Sequence, residues 1–423
     1  MKDKQIIEDG TIAITNGKIV FVGERALAEG ITAEKRINAK GKVAFPGLIN
    51  CHTHVAMTLF RGLVEDKPLN MWLEEVIWPL EARLTPEDIY AGSLLGCLEM
   101  MKSGTICFAD MYFHEEAVAK AVKESGLRAV LAEGIIETGN WLIGEKLLRD
   151  SVKFAEKFNG YADGRVKTML GPHAAYSCSP KLLVKVMKKA SEIGVGVHMH
   201  IAESADLFRE FEKKHGCSEV EFLEKIGLFN DHILAAHCIN LSERDMHVLA
   251  EHGVNVAYVP VANMKLGLGA AKIQDLYNLG VNVAFGTDGP ASNNTLDMFE
   301  TMKVGALLQK LVCLNPEALP AYEVLKMATV NGAKALGLEK TIGTLEVGKK
   351  ADIVLIDFSK PHLKPAHNVY AGIVYSARGS DVDTLIVDGK ILMENRQVKF
   401  LDEQAVMEKA EQHAWKLVSK THH

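Results

Sequence analysis

Through the middle of the chain, short apolar runs of strand length alternate with stretches whose apolar residues recur at helical spacing. The strand-like runs are the stretch ending at His54, then Ile106–Asp110, Arg128–Glu133, Val166–Gly171, Gly196–Ile201, His232–His237, Asn255–Val259 and Asn282–Thr287. Amphipathic helices are predicted between and after them at 86–103, 115–125, 179–193, 218–226, 242–252, 271–279 and 297–312. Eight strand–helix units in succession predict a (β/α)8 barrel. In that fold the chemistry is carried at the C-terminal ends of the strands, so the polar residues there are the ones to read.

Both ends of the chain have another texture. Thr11–Thr15 and Lys18–Gly23 flank Asn16-Gly17, a strong hairpin signal, and Thr384–Val387 and Lys390–Leu392 flank Asp388-Gly389 in the same way. Gly343–Asp352 leads into the apolar strand Ile353–Asp357. The two ends are therefore expected to build one small β domain, from residues 1–47 and from 343–423 with its C-terminal helix. That domain brackets the barrel at 48–342.

Composition narrows the class. In 423 residues about half are hydrophobic and a quarter charged, as in ordinary globular proteins. The net charge of −6 offers no basic excess to neutralise phosphates, so a nucleic-acid binder is not expected. No apolar stretch approaches the ~20 residues of a membrane span, and no signal peptide is evident. Seven scattered cysteines without a CxxC suit a reducing cytoplasm. A small-molecule substrate and a homo-oligomer are expected.

The candidate chemistry lies at the strand ends. The first strand closes on His52-Thr53-His54, where alternate residues share a face and two imidazoles can grip one ion. The fourth ends in His173, the fifth reads His198-Met199-His200-Ile201-Ala202-Glu203, the sixth ends in His237, and the eighth in Asp288. Any one could be a core histidine or a turn residue. Five strands of eight delivering His, Glu or Asp to one rim point to a common purpose. The set fits a mononuclear metal hydrolase: His52, His54, His200 and Asp288 as ligands, with room for a water whose pKa the ion lowers toward ~7. Glu203 lies near enough to His200 to act as general acid or base, and His237 to orient the water. Spacing alone does not choose between His198 and His200, since both share a face.

Pro46–His54, His200 with Glu203, Ala236-His237-Cys238 and Gly286–Gly289 resemble the amidohydrolase superfamily. The resemblance spans nearly the whole chain, including a β-sandwich split between the termini. It favours His200 as the ligand, one ion per chain, and zinc, with iron, nickel or manganese as alternatives. Lys167 stands at the wrong end of its strand to bridge a second ion. Met57–Gly62, Trp72-Leu73, Trp78–Glu81, Ala109–His114, Gly171–His173 and Thr287–Asn294 look most like 5-methylthioadenosine/S-adenosylhomocysteine deaminases. That resemblance implies that Glu81 binds ribose hydroxyls, His173 contacts the nucleoside, Glu203 protonates the purine ring and Asp288 takes the water proton. Trp72 is expected to cover the 5′ side. Family members that take S-adenosylhomocysteine tend to offer arginines after the third strand. Here Glu133 stands near the first such position and Arg149 near the second. Chlorotriazine or aminotriazine hydrolysis and guanine deamination are the competing activities, and a non-catalytic scaffold the remote one.

Overall fold

The computed structural model describes residues 4–137 and 139–419. Eight parallel strands form one sheet: Leu48–Thr53, Thr105–Tyr112, Arg128–Ile135, Val166–Pro172, Gly196–Ile201, Ile233–His237, Asn255–Tyr258 and Asn282–Phe285. Each pairs with the next in sequence. The second strand is buried at every one of its eight positions, as expected of a strand with side chains inside the barrel and helices outside it.

Seven seams are parallel ladders, the first of them with two shifts of register, and the eighth is not a ladder. Between the last strand and the first, the N–H groups of Thr287 and Asp288 donate to the carbonyl of His52 at 3.0 and 2.9 Å. The Asn50 side chain adds two bonds, accepting from Thr287 N–H at 3.0 Å and donating to Thr287 Oγ1 at 2.7 Å. The barrel thus closes at the ends of the two strands that carry His52, His54 and Asp288.

The helices start where capping chemistry begins them. Thr85 and Asp88 form a reciprocal capping box, with Pro86 at the first position of helix Pro86–Lys102, and Ser242 and Asp245 do the same for Glu243–Glu251. Helix Trp141–Phe158 was not among the helices expected. Its buried face uses Gly144 and Ser151 alongside Leu148, Phe154, Ala155 and Phe158, so the apolar stripe is interrupted. Helix Ala205–His215 is likewise additional, burying only Phe211.

The termini meet as expected. Strands Lys42–Pro46, Ile353–Asp357, Val382–Val387, Lys390–Glu394 and Gln397–Val398 form an antiparallel sheet. The hairpin Gly10–Thr15/Lys18–Glu24 packs Ile19 against Ala351, Ile353 and Ile386. Its turn residues Asn16 and Gly17 have φ of 50° and 75°, and those of the second hairpin, Asp388 and Gly389, 53° and 74°. The two turns lie back to back. A Cβ on Gly389 would sit 2.7 Å from the Gly17 Cα, so both positions need glycine for space as well as for φ.

One buried ion pair joins the β sheet to the end of the barrel where the strands begin. Arg128, at the start of the third barrel strand, donates from Nε to Asp352 Oδ2 at 2.6 Å and from Nη2 to Oδ1 at 3.2 Å. Asp388 N–H donates to the same Oδ1 at 2.6 Å. Both partners are almost fully buried, so removing one leaves an uncompensated charge in the interior. Arg128→Met is therefore expected to cost about 3–5 kcal/mol of stability. Urea denaturation measures this, and a wild-type midpoint would contradict it.

Candidate active site

The rim histidines point the same nitrogen inward. His54 Nδ1 lies 2.7 Å from the Met111 carbonyl, and His200 Nδ1 lies 2.9 Å from that of His173. A carbonyl only accepts, so both rings carry their proton on Nδ1 and present a bare Nε2. His237 Nδ1 is 2.9 Å from Asn263 Oδ1, and His52 Nδ1 is 2.8 Å from His198 Nε2. Asp288 Oδ1 lies 3.5 Å from His52 Nε2 and 3.3 Å from His54 Nε2, while its Oδ2 accepts from Ser292 Oγ at 2.7 Å.

Ligand atoms of His52, His54 and His200 lie within 4.8 Å of one another, as do those of His52, His237 and Asp288. His52 Nε2 is sealed from water and has no hydrogen-bond partner. Burial pushes the His52 imidazole down to about 3 and His173 to about 4, and lowers His54 and His200 as well. These rings are therefore neutral near pH 7, the form that ligates. Burial opposes the charge on Asp288, but positive charge among the facing His52, His54 and His237 rings outweighs it and holds this carboxyl well below the usual range. Inward lone pairs around one carboxylate are uncompensated without a cation, and the donor set fits a divalent metal.

The open choice on the fifth strand is resolved by depth. His200 reaches the rim, whereas His198 lies beneath it, fully buried, with its Nε2 against His52. Glu203 follows at the mouth, its Oε1 3.7 Å from His237 Nε2. Burial raises its carboxyl, which suits a proton donor. Three of these positions follow or occupy left-handed backbone that is rare outside glycine: φ is 51° at Ala202, 72° at His237 and 65° at Asp288.

Above the cluster, a pocket is walled by the segment Leu69–Glu81, built of a short helix, one π turn over Leu73–Ile77 and a second short helix. Leu69, Trp72, Leu73, Ile77 and Trp78 line it from this side, and Phe113, Ile136, Tyr176 and Leu266 from others. Glu81 and His173 also line it. Tyr112 O–H donates to Glu81 Oε1 at 2.7 Å. Burial raises the Glu81 carboxyl to about 7, with the Tyr112 bond pulling the other way.

Two expectations are corrected. The Arg149 side chain is 62 % exposed on the outer face of helix Trp141–Phe158, near Glu145, and does not line the pocket. Its place on the solvent side of that helix directs it away from the mouth. Glu133 does not face the pocket either: its carboxylate accepts from the N–H groups of His114 and Glu115 at 3.0 and 2.8 Å. Among the described residues, no lysine or arginine lines the pocket. The supporting contacts of His198, Tyr112, Asn263 and Ser292 had escaped sequence reasoning. Only Ser292, four residues past Asp288, carried a local signal.

Residues 43–392 match the profile of the Amidohydrolase family. The chain is 51% identical over 414 residues to a 5'-deoxyadenosine deaminase of Methanosarcina mazei, covering 98% of this chain and 95% of the relative. It is 48% identical over 416 residues to a 5-methylthioadenosine/S-adenosylhomocysteine deaminase of Pelotomaculum thermopropionicum, with 98% and 95% covered. Among solved structures, an adenosine deaminase from Xanthomonas campestris with bound zinc superposes with a TM-score of 0.95 at 33% identity, covering 98% of this chain and 95% of that one.

A ligand that binds only the folded state raises its stability. Zinc added back to chelator-treated protein is expected to raise the Tm, and His52→Ala/His54→Ala to abolish that rise. An equal zinc-induced rise in the double variant would rule out this cluster as the metal site.

Proposed function

The chain belongs to the amidohydrolase family, and from that premise we propose that it is a zinc-dependent deaminase of adenine nucleosides with small, apolar 5′ groups. One observation carries the substrate choice: a pocket with the half-buried carboxylate of Glu81 at one wall and, among the described residues, no cation. The convergence of His52, His54, His200 and Asp288 supports a single zinc ion held by these four. An ion held there supplies a water nucleophile at neutral pH by lowering the pKa of that water toward ~7.

The remaining roles belong to the protein. Glu203 gives its proton to the purine ring nitrogen beside the reacting carbon, so that the ring accepts the electron pair as water adds. Asp288 takes the proton of that water, and His237 holds the water in line and stabilises the charge that develops. Collapse breaks the carbon–nitrogen bond: ammonia leaves with the proton returned from Asp288, and the remaining hydroxyl proton passes to Glu203 as the carbonyl forms. His173 packs beside the base. Glu81 presents one oxygen to the ribose, its other being engaged by Tyr112, and accepts from the 2′ and 3′ hydroxyls. Trp72 and its neighbours cover the 5′ group.

The wall's chemistry sets the substrate order. The homocysteine zwitterion of S-adenosylhomocysteine finds no cation here, and a desolvated unpaired charge is costly. 5′-Deoxyadenosine and 5′-methylthioadenosine are expected to exceed S-adenosylhomocysteine in kcat/KM by at least tenfold, on the order of 1.4 kcal/mol, with free adenine and 5′-phosphates poor. A preference for S-adenosylhomocysteine, or turnover confined to triazines, would overturn the assignment. Glu203→Gln should retain zinc and lose about 10²–10⁴-fold in kcat. Near-normal turnover would make Glu203 structural.

Glu81 also predicts a pH dependence. Its carboxyl is raised to about 7, and only the carboxylate accepts both diol hydrogens. KM for 5′-deoxyadenosine should therefore rise as pH falls through 7. A 2′,3′-dideoxy analogue should show no such rise, and parallel profiles for the two substrates would remove the ribose role of Glu81.

A further inference from the structure

Behind Glu203 lies a second buried carboxylate that takes no part in the chemistry above. Glu219 opens the short helix Glu219–Lys225 and is 7% exposed. Its backbone is anchored by Ser218, which caps the helix by accepting from Glu221 N–H at 3.0 Å and donates to the buried Asp245 Oδ1 at 2.5 Å. Glu219 Oε2 accepts from the N–H of Ala202 at 2.9 Å. The Ala175 backbone also favours its charged form, and Oε1 is sealed from water with no hydrogen-bond partner. Burial raises this carboxyl to about 7.

As a packing element such a group is a liability. A buried carboxylate with one oxygen unsatisfied costs stability that a neutral side chain of equal size would not. What it grips explains its presence. Ala202 has φ 51°, a left-handed conformation strained for an L-residue. The Ala202 carbonyl is held from the far side by Ile239 N–H and Asn240 N–H, both at 3.0 Å. The next residue is Glu203, and this turn carries its carboxylate to within 3.7 Å of His237 Nε2. Released from Glu219, Ala202 can relax toward negative φ and swing Glu203 off line.

We propose that Glu219 is a positioning residue: it holds Ala202 in its left-handed turn and thereby aims Glu203 at the substrate. The proposal rests on the acid–base role of Glu203. What Glu219 supplies is a hydrogen-bond acceptor and not a charge, and this separates it from a general electrostatic effect.

The test compares zinc-loaded wild type, Glu219→Met, Glu219→Gln, Glu203→Gln and the Glu203→Gln/Glu219→Met double variant on 5′-deoxyadenosine, with zinc content and Tm measured for each. Methionine keeps the volume and removes the acceptor, whereas glutamine restores one carbonyl oxygen. Glu219→Met should keep its zinc and lose on the order of 10–100-fold in kcat, the scale of a misplaced catalytic group. Glu219→Gln should recover most of that loss. On the Glu203→Gln background the methionine substitution should cost no more than about twofold, because groups acting as one unit are not additive. Glu219→Ser, too short to reach Ala202, replaces the methionine variant if that one does not fold. Wild-type kcat in Glu219→Met, losses that multiply in the double variant, or a glutamine variant as slow as the methionine one would overturn the proposal. If Glu203→Gln alone leaves kcat intact, the acid–base reading falls and this one with it. An inert Glu203→Gln beside a fully active Glu219→Met sinks only the role of Glu219.

Discussion

An imidazole ring can offer an ion only the nitrogen that carries no proton, and everything at the mouth of this barrel depends on which nitrogen that is. For His54 and His200 the choice is made by main-chain carbonyls, which cannot donate and so keep the proton on Nδ1. Those carbonyls belong to Met111 and His173, at the ends of other strands. A ring's chemical state is thus written into the spacing of the barrel. The Asn263 side-chain oxygen does the same for His237, and His198 Nε2 faces His52 Nδ1. Outer partners of this kind orient ligands as well as set tautomers. They also explain how so many polar groups stay buried: each is satisfied on its outer side, and the inner side is left for a cation.

Legibility in the sequence followed periodicity. The eight strands were readable because a strand buried on both faces is an unbroken apolar run, and their C-terminal polar residues stood out against it. His52 and His54 share a face by the two-residue repeat, and the structure does bring them beside His200 and Asp288. Depth was not readable. His198 and His200 obey the same alternation, and only the barrel's layering separates the buried ring from the rim. Arg149 shows the converse failure. The resemblance to relatives with arginines after the third strand suggested the pocket, but the helix it sits on turns it outward, and that helix was hidden by the small residues on its buried face. Residues that act through a backbone group, such as Glu219, leave no periodic trace, since any acceptor at the right place in space would serve.

The pocket and its roof are made by different rules. The floor is a barrel rim whose backbone is pinned strand by strand, with left-handed turns held in place by their neighbours. The roof, Leu69–Glu81, is two short helices joined by a π turn, a local irregularity that recurs at functional sites. Its tie to the floor within the pocket is the bond between Tyr112 and Glu81, and its root is held where Glu65 accepts from Asn294 at 2.8 Å and meets Lys265. The pocket is thus an irregular helical segment set over a regular barrel rim.

The open seam between the first and last strands has a consequence for how the protein is made. Asn50 and Thr287, which close it, are 237 residues apart in sequence. During synthesis the first strand, with His52 and His54, leaves the ribosome long before Asp288 exists. On the ligand set proposed above, two imidazoles alone would make an incomplete site. The full donor set comes together only when the barrel shuts, as the last seam forms beside Asp288.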